Sequence, residues 1–169
     1  MNYCPQCGSE LQTRRVDGVD RRVCTFSSCG FVHWDNPVPV VAALIEYHDK
    51  IILARNAQWP EGTFSFVAGY LEKNESPEAA VIREVREELN LAGEVSEFVG
   101  CFPFFEKNQI LLVHVVSATG EIMTGDEIAE IKLLSREELA AWDFGKFLLT
   151  ANVVKHWLAT PFVRHKPFH

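Results

Sequence analysis

The stretch Gly69–Leu91, GYLEKNESPEAAVIREVREELNL, carries a helix whose two ends are both legible. Ser76 supplies an N-cap hydroxyl, and Pro77 suits the first helical position, where its missing N–H is not needed. From Glu78 to Leu89, the apolar residues Ala79, Ala80, Val81, Ile82, Val85 and Leu89 are compatible with one buried face. Asn90 ends the helix because asparagine tolerates the left-handed conformation. Glu84 and Glu88 stand four apart and Glu87 three from Glu84, so their carboxylates share one face at roughly 5–6 Å spacing. Three carboxylates this close repel one another and make sense as hard oxygen ligands for Mg²⁺ or Mn²⁺. The plainer alternative is a solvated charged face with Arg83 and Arg86 as ion-pair partners.

The wider spacing weighs against that alternative. Gly69, five residues, Glu75, seven residues and then Arg83-Glu84-Val85-Arg86-Glu87-Glu88-Leu89-Asn90-Leu91 resembles the Nudix box, Gx5Ex7REUxEExGU with U a bulky aliphatic residue. One position departs: Asn90 stands where the box has glycine. Asparagine is the next-best residue for a left-handed helix end, so the departure touches geometry and not ligands. The resemblance implies that Arg83 pairs with Glu75 and orients the loop–helix junction. It also implies that Glu84, Glu87 and Glu88, with a main-chain carbonyl at Gly69, hold divalent ions that neutralise phosphate charge and activate an attacking water. Glu87 and Glu88 are thereby expected to be catalytic, as are Glu127 in Gly125-Asp126-Glu127-Ile128-Ala129-Glu130, Arg83 and Glu75. Glu127 matches a distal acidic ligand of the NADH pyrophosphatase branch, and Glu130 is its neighbour three residues on.

Working outward from the box, Val38-Pro39-Val40-Val41-Ala42-Ala43-Leu44-Ile45 reads as a buried strand, and Ile51–Ala54 as a second beyond a turn at His48-Asp49-Lys50. Thr63–Val67 reads as extended up to Gly69. Further strands are expected at Val95–Phe98, Ile110–Ser117 and Ile131–Leu134, a helix start at Ser135-Arg136-Glu137-Glu138, and a last helix from about Lys146 to Leu158. The expected fold class is α/β: an α/β/α sandwich around a mixed sheet, preceded by a small zinc ribbon. The expected division is residues 1–36 for the ribbon and 37–169 for the hydrolase domain.

Four of the five cysteines crowd the first thirty residues. Cys4-Pro5-Gln6-Cys7-Gly8 and Cys24-(four residues)-Cys29-Gly30 form two thiolate knuckles that resemble a zinc ribbon, with Cys4, Cys7, Cys24 and Cys29 closing a structural Zn²⁺ site. His33 is then a surface residue, and Cys101 an ordinary buried or half-buried thiol. A ribbon directly before a Nudix domain resembles the NADH pyrophosphatase branch. That branch carries an SQPWPFP-like segment after the box, whereas this chain has Gly100-Cys101-Phe102-Pro103-Phe104-Phe105. Phe64, Phe66, Phe102, Phe104 and Phe105 are available to stack on a base, with Phe66 and Phe104 the substrate candidates, although strand aromatics more often serve the core.

At 169 residues and net charge −7, the composition is that of one ordinary domain plus a small module, and it argues against bulk attraction to nucleic acid or an anionic membrane. No apolar run is long enough to span a bilayer, and MNYCPQCGSE lacks an apolar signal region, so a cytoplasmic location is expected. The expected activity is metal-dependent hydrolysis of a pyrophosphate bond in a nucleoside diphosphate derivative such as NADH, ADP-ribose or FAD. Two other readings stand beside it: an RNA 5′-end pyrophosphohydrolase, favoured by Arg14, Arg15, Arg21 and Arg22, and a non-catalytic nucleotide sensor, disfavoured by the intact acidic positions. The sequence does not fix an oligomeric state, although a homodimer fits the many dimeric relatives.

Overall fold

A computed structural model of the chain describes residues 1–160, which divide into two compact units, Met1–Pro37 and one beginning at Val38. In the first unit, β1 (Leu11–Val16), β2 (Val19–Cys24) and β3 (Val32–His33) form an antiparallel sheet in that order. Asp17 and Gly18, both at positive φ, join β1 to β2 in a two-residue hairpin turn. The core is small: Cys4, Leu11 and Cys24 are buried, with Cys29 and Phe31 against them. So few apolar groups cannot fix a fold without a further tie. The two strands were not legible because Arg14-Arg15 and Arg21-Arg22 interrupt the apolar/polar alternation.

The second unit runs β4 (Val38–Tyr47), β5 (Lys50–Asn56), β6 (Val67–Tyr70), α1 (Pro77–Leu89), β7 (Ala92–Phe104), β8 (Gln109–Thr119), β9 (Ile128–Leu134), α2 (Arg136–Ala140) and α3 (Leu148–Ala159). The sheet order is β7-β8-β4-β5-β9, with β6 also on β4. β4 and β8 are parallel and the other pairs antiparallel, so the sheet is mixed. β4 is apolar from Val38 to Ile45 because both faces of its middle are covered. Val41, Ala43 and Ile45 pack with Ala80, Val81, Val85 and Leu89 of α1, while Ala42 and Leu44 pack with Leu139 of α2 and Val153, Val154 and Trp157 of α3. The expected α/β/α sandwich is the observed one.

One edge of β4 is shared by two strands. β6 pairs with Val40–Ala43 and β5 with Ile45–Tyr47, so the sheet forks along that edge. The extended reading of Thr63–Val67 is corrected here: the strand begins at Val67, and Ser65 makes only a single bridge to Ala54. β7 is far longer than Val95–Phe98. It is an edge strand with two register shifts, which is why it tolerates Pro103 and hides its alternation. The last helix starts at Leu148, two residues later than Lys146.

Both ends of α1 are as the sequence indicates. Ser76 Oγ accepts from Ala79 N–H at 3.2 Å, Pro77 opens the helix, and Asn90 adopts φ 58° with its N–H on the Arg86 carbonyl at 2.9 Å. Ala79, however, is exposed and not part of the buried face. Replacing Asn90 isolates its backbone conformation, because alanine and glycine both lose the Nδ2 contact to the Glu121 carbonyl. Asn90→Gly is expected to be more stable than Asn90→Ala by about 1 kcal/mol in urea unfolding. Equal stabilities would show that the left-handed residue does not govern the helix end.

Candidate active site and metal centre

Arg83 sits at the centre of the glutamate cluster. Its Nε and Nη2 donate to both oxygens of Glu75 at 2.9 and 3.0 Å, and its Nη1 donates to Glu84 at 2.6 Å and Glu87 at 3.1 Å. Nη2 also reaches the Tyr70 carbonyl at 3.2 Å. One guanidinium therefore ties the loop before α1, strand β6 and two helical carboxylates together, in the bidentate geometry that arginine favours with carboxylates. It also holds the Glu75 carboxyl below the usual carboxylate range.

Among the described residues Glu88 has no such partner. Burial, and then the negative charges of Glu84, Glu127 and Glu87, push its carboxyl up to about 7. Gly69 lies directly against Glu84, and a Cβ at this position would overlap the Glu84 carboxylate. Here glycine is required by close approach and not by a special φ. The loop before β9 is fastened to the end of α1: Gly125 N–H donates to the Glu88 carbonyl at 2.9 Å and Met123 N–H to the Leu89 carbonyl at 3.1 Å. A Cβ on Gly125 would press on the Glu87 carbonyl at 3.1 Å. This fastening brings Glu127 to the helical carboxylates. A cavity of about 470 Å³ results, lined by Glu72, Glu84, Glu87, Glu88, Asp126 and Glu127 with Ala68, Gly69, Tyr70 and Gly125. Among the described residues no lysine or arginine lines it. Its all-carboxylate donor set is the chemistry of a divalent hard cation. Glu130 lies elsewhere, paired with Arg55 and Lys132.

A second cavity of about 390 Å³ shares Ala68, Gly69 and Tyr70 with the first. Phe66 and Phe104 both line it, together with Trp59, Leu111 and Phe147. The rings of Trp59 and Phe147 lie 4.8 Å apart, tilted by 43°. Of the other aromatics, Phe64 is buried in the core, Phe102 packs beside it, and Phe105 is 84% exposed. Trp59 and Phe147 carry no local pattern that marks them as wall residues; separate loops bring them together.

In the first unit, the Sγ atoms of Cys4, Cys7, Cys24 and Cys29 all lie within 4.8 Å of one another, with Cys4–Cys29 at 3.6 Å and Cys7–Cys24 at 3.4 Å. Four thiolates on a tetrahedral zinc, at a Zn–S bond of about 2.3 Å, are separated by about 3.8 Å, so the donor set fits. Among the described residues this is the one group of three or more potential ligands that converges so tightly. The carboxylates around the first cavity are more spread. Cys101 is exposed, which corrects the buried or half-buried expectation.

Comparison with known proteins accords with both units. A family model described as NUDIX domain matches residues 35–153, and a zinc-ribbon model described as Nudix N-terminal matches residues 2–35. The chain is similar to the NAD-capped RNA hydrolase NudC of Pseudomonas aeruginosa (strain LESB58), 30% identical over 81% of this chain and 49% of that protein. It is 34% identical to NudC of Pseudomonas fluorescens over 90% of this chain and 56% of that protein. The chain thus spans about half the length of the curated relatives it matches. A crystal structure of a Nudix hydrolase from Nitrosomonas europaea superposes with a TM-score of 0.79 at 26% identity, covering 92% of this chain and 89% of that one.

Two measurements follow from these sites. Protein purified without added zinc is expected to contain about one zinc per chain, and Cys7→Ser to unfold at lower temperature, since structural zinc contributes directly to folding; freely titrating thiols and no zinc would overturn the ribbon centre. Glu88 has a folded pKa above its unfolded value, so the folded state binds the extra proton and stability falls as pH rises from about 4.5 to about 7. In zinc-loaded protein free of magnesium and manganese, Glu88→Gln is expected to be more stable than the parent at pH 8, by about 1 kcal/mol after solvent screening. That gap closes towards pH 5. A gap that is independent of pH would contradict the assignment.

Proposed function

The chain belongs to the Nudix family, and from that premise we propose that it hydrolyses the pyrophosphate bond of a nucleoside diphosphate linked to a second group, releasing a nucleoside monophosphate. The observation that carries this reading is the pair of cavities meeting at Ala68–Tyr70, one lined by carboxylates and the other by aromatic rings. A diphosphate needs cations to lie against carboxylates, whereas a base needs ring faces, and the two must be neighbours. The names of the relatives favour NAD-type substrates, either free or at the 5′ end of an RNA.

Glu84, Glu87 and Glu88, with the Gly69 carbonyl, would hold magnesium or manganese. Such ions, when bound, neutralise the diphosphate oxygens and polarise the phosphorus centre. Arg83 holds Glu84 and Glu87 in place and anchors Glu75, so it positions the carboxylates without touching substrate. Glu127, carried to the site by its fastened loop, accepts the proton from the attacking water. Phe66 and Phe104 present faces to the base. The catalysis is mainly positioning and electrostatics, as expected for transfer at phosphorus.

Hydrolysis should require millimolar Mg²⁺ or Mn²⁺, assayed over NADH, NAD, ADP-ribose, FAD and NAD-capped RNA with products identified. Full activity in excess EDTA would exclude the reading. Glu87→Gln and Glu88→Gln are expected to lower turnover roughly 10²–10³-fold without loss of fold, by analogy with removing one preorganised electrostatic group. Glu75→Gln should also lower the melting temperature, because it releases Arg83. A Glu88 variant with near-normal turnover would place the catalytic centre elsewhere.

A further inference from the structure

The two adjoining cavities are charged in opposite senses. Among the described residues, the charged groups that line the first are all carboxylates, so an anion would be held there through divalent ions. Two lysines, Lys107 and Lys146, line the second against the single carboxylate of Glu106. They come from separate segments: Lys107 ends the 3-10 turn Phe105–Lys107 between β7 and β8, and Lys146 lies two residues before α3. Neither is in an ion pair among the described residues, whereas Lys50 and Lys132 pair with Glu138 and Glu130. Lys107 Nζ lies 5.7 Å from the Phe104 ring centroid, a cation–π contact that keeps the ammonium at the cavity edge. In a chain of net charge −7, two lysines against one carboxylate leave an excess of positive charge at an apolar cavity, a local anion-attracting rim.

Resting on the proposed nucleoside diphosphate substrate, we infer that Lys107 and Lys146 select nucleotides whose ribose bears a further phosphate at the 2′ or 3′ position. The stereochemistry of a nucleotide supports this. With the base among Trp59, Phe104 and Phe147, the 5′ oxygen leads towards the carboxylate cavity through Ala68–Tyr70. The 2′ and 3′ oxygens leave the opposite face of the sugar, away from the carboxylate cavity and within the cavity that Lys107 and Lys146 line. An anion there lies outside the metal site and is held by ammonium groups directly. A 2′-phosphate identifies a phosphorylated dinucleotide, and a 3′-phosphodiester the first nucleotide of an RNA; the contact chemistry is the same.

The test uses the full chain in Mg²⁺ and three probes without a pyrophosphate bond: AMP, adenosine 2′,5′-bisphosphate and adenosine 3′,5′-bisphosphate. Calorimetric Kd values are expected to favour at least one bisphosphate over AMP by about tenfold, with the preference shrinking as salt is raised. In the Lys107→Ala/Lys146→Ala double variant, checked for an unchanged melt, all three probes should bind with similar affinity. A 2′ preference points to phosphorylated dinucleotides, a 3′ preference to RNA ends, and equal preference to both. Equal binding of all three by the parent, a preference that survives in the double variant, or no binding of any probe would overturn the inference. Because none of the probes can be hydrolysed at a pyrophosphate, failure of the hydrolysis panel leaves this result standing, and failure here leaves hydrolysis standing.

Discussion

A single guanidinium organises the acidic side of this protein. Arg83 donates to Glu75, Glu84, Glu87 and the Tyr70 carbonyl, so one cation joins a loop, a strand and a helix. Partly exposed ion pairs taken singly contribute little, but a bidentate pair within a network is geometrically restrictive. Among the described residues the network gives Glu88 no cation, and burial and its acidic neighbours drive its carboxyl up. The helix therefore presents carboxylates already oriented and still short of positive charge, which is the electrostatic condition for binding divalent ions.

The sheet supplies the rigidity on which that arrangement rests. α1 packs on one face of β4, and α2 and α3 on the other, which fixes the helix axis relative to β6. The fork in β4, with β6 and β5 sharing one edge, places Gly69 against Glu84. The absence of a Cβ at Gly69 and the fastening of Gly125 to the Glu88 carbonyl are small local features with one shared effect. They close carboxylates from three chain segments around a single cavity.

The same strand β6 separates two chemistries. On one side lie carboxylates, suited to cations, and on the other aromatic rings with two lysines against one carboxylate, suited to the planar, anionic ligand proposed above. A net charge of −7 argues against bulk attraction to a polyanion, but it says nothing about where the cations are left free. The proposed recognition rests on local charge and not on the total.

The sequence by itself determined α1, its two ends, the carboxylate stripe and the paired cysteines, because each depends on residues close together in the chain. A capping hydroxyl, a proline at the first turn, a three-and-four spacing and a two-cysteine knuckle are local devices. The apolar run of β4 was equally legible, since a strand covered on both faces needs no alternation. Long-range packing decided the rest. The length of β7 was hidden by bulges and Pro103, Ala79 and Cys101 turned outward, and Glu130 went to Arg55 and Lys132 while Glu127 went to the cavity. Those two glutamates are three residues apart in similar company; the hydrogen bonds of Gly125 and Met123 to the end of α1 carry Glu127 to the cavity, while the β5–β9 register sets Glu130 opposite Arg55. Trp59, Lys107, Lys146 and Phe147 share no motif; they meet at one cavity because the sheet and α3 bring distant loops to the same edge, and no local spacing encodes that meeting.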